Sequence, residues 1–230
     1  MKWIRTIVIF DRGNICLSDD WNVIHGSVVR SIESIKFPPE SETLTLRTKS
    51  RIDGQWQRNG VGYLRSNFFE AMVNRERWIP EAQVGIERLQ LQTELMTFPD
   101  LMPYQEPITS SFGHFDFMTR TKSGLNVAIE WETGNISSSH RSINKLTIAI
   151  SAGVINAGIL VLPSRKLYEH LTDRIGNIGE LSPYLRMWSQ MGSSIKSGML
   201  SIIIVEQDSL TDDLDFKYLP RGNDGRARKK

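Results

Sequence analysis

Apolar and polar residues alternate most regularly in the stretch FDFMTRTKSGLNVAIEWETGN, which spans residues 115–135. The pattern predicts a β-hairpin with its turn at Lys122-Ser123-Gly124. Glu130 and Glu132 share one face of the second strand, because side chains alternate between faces with a period of two. The opposite face of that strand is apolar, so we expect it to pack into the core.

The N-terminal region has a strand pattern followed by a helix pattern. Residues 5–17 are expected to form a hairpin whose turn lies at residues 11–14. Ser18 then provides a helix cap, and apolar residues follow at helical spacing from Trp21 to Ile35. The helix is expected to end before Pro38-Pro39, since proline cannot continue a helix.

Three further elements are predicted before the central hairpin. Asn67 stands three residues before Glu70, as in a capping box, and indicates the start of a second helix. Residues 86–96 have the apolar spacing of another helix. Residues 99–109 contain three prolines and are expected to form an extended connector.

The region after the hairpin predicts a strand–helix–strand unit. The serines at residues 137–139 can cap a helix from about Ser139 to Ala152, and the apolar run at residues 158–162 is typical of a buried strand. A strand, a helix and a strand in this order imply a parallel crossover. Further helices are expected at residues 167–175 and around Trp188, and a last buried strand at residues 199–205. The predicted fold class is therefore α/β, with a mixed central β-sheet flanked by helices.

Composition limits the class of protein. The chain has 230 residues, a net charge of +2 and 40% hydrophobic residues, which is typical of a globular protein with one substantial core. We expect one domain over residues 1–220, with a catalytic core at about residues 110–206, and a basic, mobile tail at residues 221–230. The single cysteine, Cys16, excludes an internal disulfide framework. No apolar segment is long enough to span a membrane, so a cytoplasmic location without membrane contact is expected.

The candidate chemistry lies on the central hairpin. Asp116, on the first strand, could converge with Glu130 and Glu132 on the second, and three carboxylates form a hard oxygen site suited to Mg²⁺. The alternative is an ordinary strand with its glutamates in solvent. The helix that follows begins with polar and basic residues, where main-chain amides and positive charge favour an anion. Zinc-site spacing, a nucleophile elbow and a phosphate-binding glycine loop are all absent from the sequence. Metal-assisted hydrolysis of a phosphodiester is therefore the favoured chemistry.

A second candidate region lies at residues 40–62. Arg47, Lys49 and Arg51 are followed by Trp56 and by glutamine, asparagine and glycine residues. Such a loop could bind a phosphate backbone. The alternative is a solvated surface excursion.

Asp116 together with Glu130-Trp131-Glu132 resembles a degenerate form of the PD-(D/E)xK nuclease motif. The usual motif ends in lysine. Glu132 at that position resembles the BglII/BamHI-like branch of type II restriction endonucleases. The likeness extends, weakly, over most of the chain, and the ordered set of elements is more specific than the motif alone.

The resemblance implies roles for individual residues. Asp116, Glu130 and the main-chain carbonyl of Trp131 would bind the metal, and Glu132 would orient or deprotonate water. Some relatives have a further acid upstream, for which Glu70 is the candidate. The absent lysine leaves open whether a second metal, Lys145 or Arg141 stabilises the phosphate. The expected DNA-binding residues are Asn135, Ser139, His140, Arg141, Ser164, Arg165, Lys166, Arg47, Lys49 and Arg51.

The expected function is therefore that of a Mg²⁺-dependent endonuclease that cuts double-stranded DNA at a short palindromic site. A homodimer is expected, because two related sites match the two-fold symmetry of such DNA. The alternatives are a structure-selective or non-specific nuclease of the same fold, a non-catalytic DNA-binding protein, and a domain that binds another ligand.

Overall fold

The computed structural model describes residues 1–85, 96–103, 113–172 and 175–220. The strands in these ranges are β1 (Lys2–Arg12), β2 (Thr45–Arg47), β3 (Ser50–Ile52), β4 (Gln55–Gln57), β5 (Ile79–Gln83), β6 (His114–Arg120), β7 (Asn126–Trp131), β8 (Ala157–Pro163), β9 (Gly198–Glu206) and β10 (Ser209–Thr211). The α-helices are α1 (Asp19–Glu33), α2 (Gly62–Glu70), α3 (Ile136–Ser151), α4 (Arg165–Tyr168), α5 (Ile178–Leu181) and α6 (Leu185–Met191). Short 3₁₀ turns lie at Ile15–Leu17, Ser182–Tyr184 and Gly192–Ser194, and a π-turn at Ala71–Arg75 extends α2.

The central sheet is mixed. Among the described residues it contains six strands in the order β1-β9-β8-β7-β6-β5. Strands β7, β8 and β9 are mutually parallel, whereas β1, β6 and β5 pair antiparallel with their neighbours. Strands β8 and β9 are buried except at Glu206 and are almost continuously apolar, as expected for parallel strands covered on both faces. The predicted α/β class with a mixed sheet is confirmed.

Helices cover both faces of the sheet and define two apolar clusters. On one face, α1 and α2 pack through residues such as Val28, Ile32 and Phe68. On the other, α3 and α6 pack through residues such as Ile143, Leu146 and Trp188. Because helices cover both faces, a polar side chain on a central strand of the sheet is shielded from water.

The predicted central hairpin is present as β6 and β7, and the predicted crossover as β7, α3 and β8. The register pairs Val127 with Ala157 and Trp131 with Val161, so β7 and β8 are parallel. The carboxyl ends of both strands therefore lie at the same edge of the sheet as the N-terminus of α3. This is the edge at which ligands bind in open α/β sheets.

The predicted N-terminal hairpin is wrong. The chain does turn at Gly13 and Asn14, which have φ values of 115° and 56°. It then forms a 3₁₀ turn, because the Asp11 carboxylate accepts hydrogen bonds from the amides of Ile15 and Cys16. The long strand β1 pairs with β9 instead. The apolar β9 is distant in sequence, and local turn signals carry no information about it.

Three predicted helix boundaries are also corrected. Asn67 is not a cap but lies inside α2, which begins at Gly62, and its side chain donates to the carbonyl of Tyr63. Helix α3 begins earlier than expected, because the side chain of Asn135, rather than a serine, caps it. The helix expected at residues 167–175 is only α4, after which the chain is bonded to Asn59.

The helix expected at residues 86–96 falls almost entirely outside the described residues, as do most of the proline-rich connector and the whole basic tail at 221–230. The predicted helix around Trp188 is confirmed as α6, and the predicted last strand as β9. Within the described ranges, no helix combines the length and apolar character needed to cross a membrane.

Candidate active site

The Asp116 carboxylate of β6 bonds to the main chain of β7, the other strand of the central hairpin. The β6–β7 ladder extends from Arg120 and Asn126 to Phe117 and Ile129. Beyond that point the amide of Trp131 donates to Asp116 Oδ2 at 2.8 Å. The carboxylate thus takes the place of a main-chain acceptor, and the strands separate where the two glutamates follow. Burial raises the pKa of Asp116, and the hydrogen bond from Trp131 opposes this effect.

Glu130 is buried, with 8% of its surface exposed, and its carboxylate forms an ion pair with the Lys145 ammonium of α3. Burial raises the pKa of Glu130 to about 7, against the opposing charge and hydrogen bond of Lys145. The alternative of solvent-exposed glutamates on an ordinary strand is therefore wrong. Helix α3 packs over this face of β7 and excludes water from the carboxylate.

Glu132 turns back toward the start of α3. The amide of Gly134 donates to Glu132 Oε1 at 2.5 Å. Burial raises the pKa of Glu132 to about 7, and the nearby Ser139 hydroxyl and the Gly134 amide oppose the shift. Neither Glu132 Oε2 nor Ser139 Oγ has a hydrogen-bond partner of good geometry, although both are buried. Two polar atoms are thus withdrawn from bulk water at the edge of the site.

The three carboxylates interact electrostatically. The charge of Asp116 raises the pKa of both Glu130 and Glu132. A second cation balances this group, since Arg65 of α2 lies with Nη2 3.6 Å from Asp116 Oδ1 and 3.9 Å from Glu81 Oε1. Its guanidinium also stacks 4.2 Å above the Phe69 ring.

The sequence did not indicate Arg65 or Glu81, because both reach Asp116 only through the packing of α2 and β5 on the hairpin. Glu70, the upstream acid expected by resemblance, is exposed and lines a different cavity with Arg30 and Arg75. Glu81 is instead the upstream acid whose charge acts on Asp116.

The donor set fits a hard divalent cation, although it is not a closed cage. Within the described ranges, no three His, Cys, Asp or Glu side chains are gathered into a ready-made metal-binding cluster. The reason is visible in the contacts, since Glu130 faces Lys145, Asp116 faces Arg65 and Glu132 faces the Gly134 amide. Buried carboxylates with raised pKa values nevertheless carry a charge that a cation would offset, and an unpartnered carboxylate oxygen lies beside them. Asp116 and Glu130, with the main-chain carbonyl of Trp131, could hold the metal.

The N-terminus of α3 is only partly available as a DNA-binding surface. Asn135 accepts hydrogen bonds from the amides of Ser137 and Ser138, so it is a helix cap. Ser139 is buried beside Glu132, and the His140 ring packs 4.4 Å from the Tyr184 ring. Arg141 is exposed and close enough to lower the pKa of Glu132. The structure therefore brings Ser139 and Arg141 to the carboxylates, and gives Asn135 and His140 packing contacts.

Helix α4 presents two exposed cations at the carboxyl end of β8. Ser164 is buried as its cap, accepting from the Leu167 amide and donating to Glu206 Oε2. Arg165 and Lys166 are exposed, and Arg165 contacts Glu169 and the Tyr168 ring, close to it in sequence.

The basic segment before α2 forms a small hairpin, β3–β4, beside α4. The Asn59 amide donates to the carbonyl of His170, which ties the hairpin to the α4 loop. Arg47 is occupied, because it donates to the carbonyl of Phe216 and stacks over Tyr218. Lys49 lies 4.0 Å from Glu169, and Arg51 is exposed. Lys49 thus lies beside the end of α4, Arg51 donates to the carbonyl of Gly54 within its own hairpin, and Arg47 contributes to packing.

A mixed sheet flanked by helices, with a carboxylate hairpin next to a basic helix start, is the arrangement of PD-(D/E)xK nucleases. The family model of restriction endonuclease BamHI matches residues 1–226 of the chain. The chain therefore belongs to the restriction endonuclease BamHI family, as the sequence resemblance had predicted.

Two curated relatives are type II restriction enzymes. OkrAI from Oceanobacter kriegii is 49% identical over 104 residues, which are 45% of this chain and about half, 52%, of that protein. BamHI from Bacillus amyloliquefaciens is 26% identical over 205 residues, or 89% of this chain and 83% of that protein. Among solved structures, restriction endonuclease BglII complexed with a DNA 16-mer matches with a TM-score of 0.52 and 9% identity, over 89% of this chain and 79% of that chain. This last likeness supports the fold alone.

Proposed function

We propose that the protein is a type II restriction endonuclease that hydrolyses double-stranded DNA at a short palindromic site and uses Mg²⁺. Membership of the BamHI family gives the class of enzyme. The observation that carries the proposal is the insertion of Asp116 between the hairpin strands, which brings its carboxylate to Trp131, the residue between Glu130 and Glu132. An ordinary exposed hairpin would not bury two of these acids and leave only 16% of the Asp116 side chain exposed.

Asp116, Glu130 and the main-chain carbonyl of Trp131 are the proposed metal ligands. Divalent metal use is general among restriction endonucleases, and oxygen donors favour Mg²⁺ over softer metals. When bound, the cation would offset charge on the scissile phosphate and lower the pKa of an attacking water. The protein's part is to keep Glu130 buried near the carboxyl end of β7 and to hold the Asp116 carboxylate of β6 beside it through the Trp131 amide.

Glu132 is the proposed proton acceptor. Oε1 accepts a hydrogen bond from the Gly134 amide, and Oε2 would accept the proton of the attacking water. In the reaction the water oxygen forms a bond to phosphorus, the phosphorus–oxygen bond to the leaving sugar breaks, and Glu132 accepts a proton from the water. The leaving oxygen is protonated by solvent. A carboxylate with a pKa of about 7 suits this exchange near neutral pH.

The proposed DNA-binding surface combines Arg141 with Lys49, Arg51, Arg165 and Lys166. Arg141 is on α3, which follows β7, and Arg165 and Lys166 are on α4, which follows β8, so these cations would contact phosphates near the carboxyl ends of the parallel strands. Arginine at this edge could also read guanine in the major groove. The proposed surface also includes residues that already have structural contacts, namely Asn135, Ser139, His140, Ser164 and Arg47.

The proposed assembly is a homodimer. Helix α6 and the turn before it expose Tyr184, Met187 and Met191, with 42%, 48% and 38% of their surfaces accessible. Apolar side chains in a row on one helix favour contact with another protein surface. A two-fold axis there would relate two active sites, as a palindrome requires. We also propose that residues 1–220 act as one nuclease domain and that the enzyme works in the cytoplasm.

A plasmid cleavage assay tests the proposed function. Wild-type protein, Asp116→Ala, Glu130→Ala and the exposed control Glu40→Ala are incubated with plasmid in Mg²⁺ and in EDTA. Discrete bands from wild type and the control, absent in EDTA and in both active-site variants, support the proposal. Sequencing the ends then gives the recognition site and the stagger.

Two other results would replace the proposal. A smear of fragments would indicate a structure-selective or non-specific nuclease of the same fold. Intact plasmid with a salt-sensitive gel shift would indicate a DNA-binding protein without catalysis.

A further inference from the structure

Lys145 brings a positive charge into the carboxylate group from a different element. Its ammonium pairs with Glu130 and also donates to the carbonyl of His114 at 2.8 Å. It lies 4.5 Å above the Phe115 ring, and only 14% of the side chain is exposed. The side chain therefore reaches from the third turn of α3 across to the start of β6.

Charge balance in the site calls for such a cation. Three ionised carboxylates and a phosphodiester would carry four negative charges, and one divalent cation offsets half of them. The transition state of hydrolysis places further charge on the phosphate oxygens. Arg65 is engaged with Asp116 and Glu81, and Arg141 is exposed on the surface of α3. Lys145 is the cation already inside the group.

Lys145 and a metal would compete for the same carboxylate. Both offset the buried charge of Glu130, and a cation that binds Glu130 would displace the ammonium from it. The contacts with the His114 carbonyl and the Phe115 ring do not depend on Glu130, so they keep the ammonium in the site. A lysine has three N–H donors, and the one released by Glu130 would be free for a phosphate oxygen.

We propose that Lys145 is a catalytic residue that exchanges Glu130 for an oxygen of the scissile phosphate when the metal binds. In the protein without metal, the Lys145 ammonium neutralises Glu130. In the complex with DNA, it supplies the positive charge that the usual motif takes from its lysine and that the acidic Glu132 cannot supply. This inference rests on the proposed function for its substrate, whereas the competition with the metal is a property of the free protein.

Two measurements on one variant test the proposal, because its Mg²⁺ affinity should rise while its cleavage rate should fall. Lys145→Met keeps most of the unbranched side chain and removes its charge, and Lys122→Met, in the exposed hairpin turn, is the matched control. Calorimetric titration of Mg²⁺ into DNA-free Lys145→Met should give binding at least about tenfold tighter than wild type, because a buried charge has lost its partner. Single-turnover cleavage by the same variant should be slower by about 10²-fold, because a donor to the transition state is lost. The control should match wild type in both.

A merely structural lysine would not give tighter Mg²⁺ binding with slower cleavage. Unchanged or weaker Mg²⁺ affinity in a folded Lys145→Met would overturn the proposal, as would cleavage at the wild-type rate. If thermal unfolding reveals that Lys145→Met does not fold, Lys145→Arg replaces it. Lys145→Arg then supports the proposal if it binds Mg²⁺ like wild type and cleaves more slowly. The proposal is overturned if both Mg²⁺ affinity and cleavage rate fall, or if neither changes. If wild-type protein cuts no DNA, the proposed function fails, and the calorimetric comparison still decides whether Lys145 competes with the metal.

Discussion

The Trp131 amide donates a 2.8 Å hydrogen bond to Asp116 Oδ2, so a side chain of β6 is fixed to the main chain of β7. Trp131 itself stacks on Phe68 of α2 at 4.3 Å between ring centroids, which fixes its backbone against the core. The position of the Asp116 carboxylate is therefore set by a buried aromatic stack as well as by its own strand. Because Trp131 lies between Glu130 and Glu132 in the chain, this hydrogen bond holds Asp116 close to the segment that carries both glutamates.

Asp116→Asn separates the structural and chemical roles of this carboxylate. The asparagine oxygen can still accept from the Trp131 amide, so we expect the thermal unfolding temperature to stay close to that of wild type. Loss of the negative charge should nevertheless reduce Mg²⁺-dependent cleavage by about 10³-fold, equivalent to roughly 4 kcal/mol of transition-state stabilisation. Thermal unfolding and single-turnover cleavage of the same preparation check the two expectations.

Asp116→Ala is the comparison, because it removes the acceptor as well as the charge. We expect it to be less stable than Asp116→Asn, since the Trp131 amide loses its partner in a buried position. Equal stability of the two variants would mean that the hydrogen bond does not organise the hairpin.

Glu132→Gln tests the proton acceptor. An amide keeps an oxygen for the Gly134 amide but cannot accept a proton, so cleavage should fall by about 10³-fold if Glu132 acts as a base. Wild-type cleavage should increase with pH through about 7, because the pKa of Glu132 is raised to about 7 by burial. The cleavage rate of Glu132→Gln at saturating Mg²⁺ should not show this increase with pH. A variant that keeps most of its activity would show that Glu132 only orients water.

The raised pKa values also predict how stability depends on pH. Glu130 and Glu132 have pKa values of about 7 in the folded protein, against an ordinary value of 4.5. The folded state therefore binds more protons than the unfolded state between these values. The contribution of the two groups to stability is complete below pH 4.5 and is lost as the pH rises through about 7.

Thermal unfolding of the metal-free protein checks this sign. The unfolding temperature of wild type should fall between pH 5 and pH 8 relative to that of the double variant Glu130→Gln with Glu132→Gln. The control Glu40→Gln, at an exposed position, should follow wild type at both pH values. Added Mg²⁺ should stabilise wild type more at pH 8 than at pH 5, since protons and the cation compete for Glu130. The opposite trend would mean that the carboxylates are charged and well compensated without metal.

The parts of the fold that the sequence predicted are those set by local patterns. The alternation on the β6–β7 hairpin, the helical spacing of α1 and the apolar runs of β8 and β9 all depend on neighbours within a few residues. A parallel crossover followed from the order of β7, α3 and β8. The resemblance to BglII/BamHI-like enzymes added the family, and Asp116, Glu130 and Glu132 do come together in the structure.

The remaining features depend on contacts between distant segments. The pairing of β1 with β9, in place of a local hairpin, required knowledge of a strand almost 200 residues away. The approach of Arg65 to Asp116 required the packing of α2 on the sheet. The sequence left Lys145 as one of several candidate cations, and only the packing of α3 against β6 and β7 brought its ammonium to Glu130.

Gly134 links the second glutamate of the motif to the start of α3. A Cβ atom at this position would lie 2.5 Å from Ser138 Oγ, 2.7 Å from Ser138 Cβ and 3.1 Å from Glu132 Oε1. Gly134→Ala should therefore displace the Glu132 carboxylate or the first turn of α3. We expect a loss of about 1–3 kcal/mol in the free energy of unfolding, as for other overpacked sites. Cleavage should fall by about 10²-fold, since a displacement near 1 Å can cost that much.

Gly85→Ala is the matched control, because a Cβ there would meet no atom of the described residues within 4 Å. Its free energy of unfolding should stay within about 0.5 kcal/mol of wild type, and its cleavage rate should be unchanged. Urea unfolding and single-turnover cleavage measure both quantities. If Gly134→Ala loses stability but cleaves normally, α3 has moved and Glu132 has not, which would argue against Glu132 as the proton acceptor. If it cleaves slowly and its stability is kept, the close approach of Gly134 serves to fix the Glu132 carboxylate.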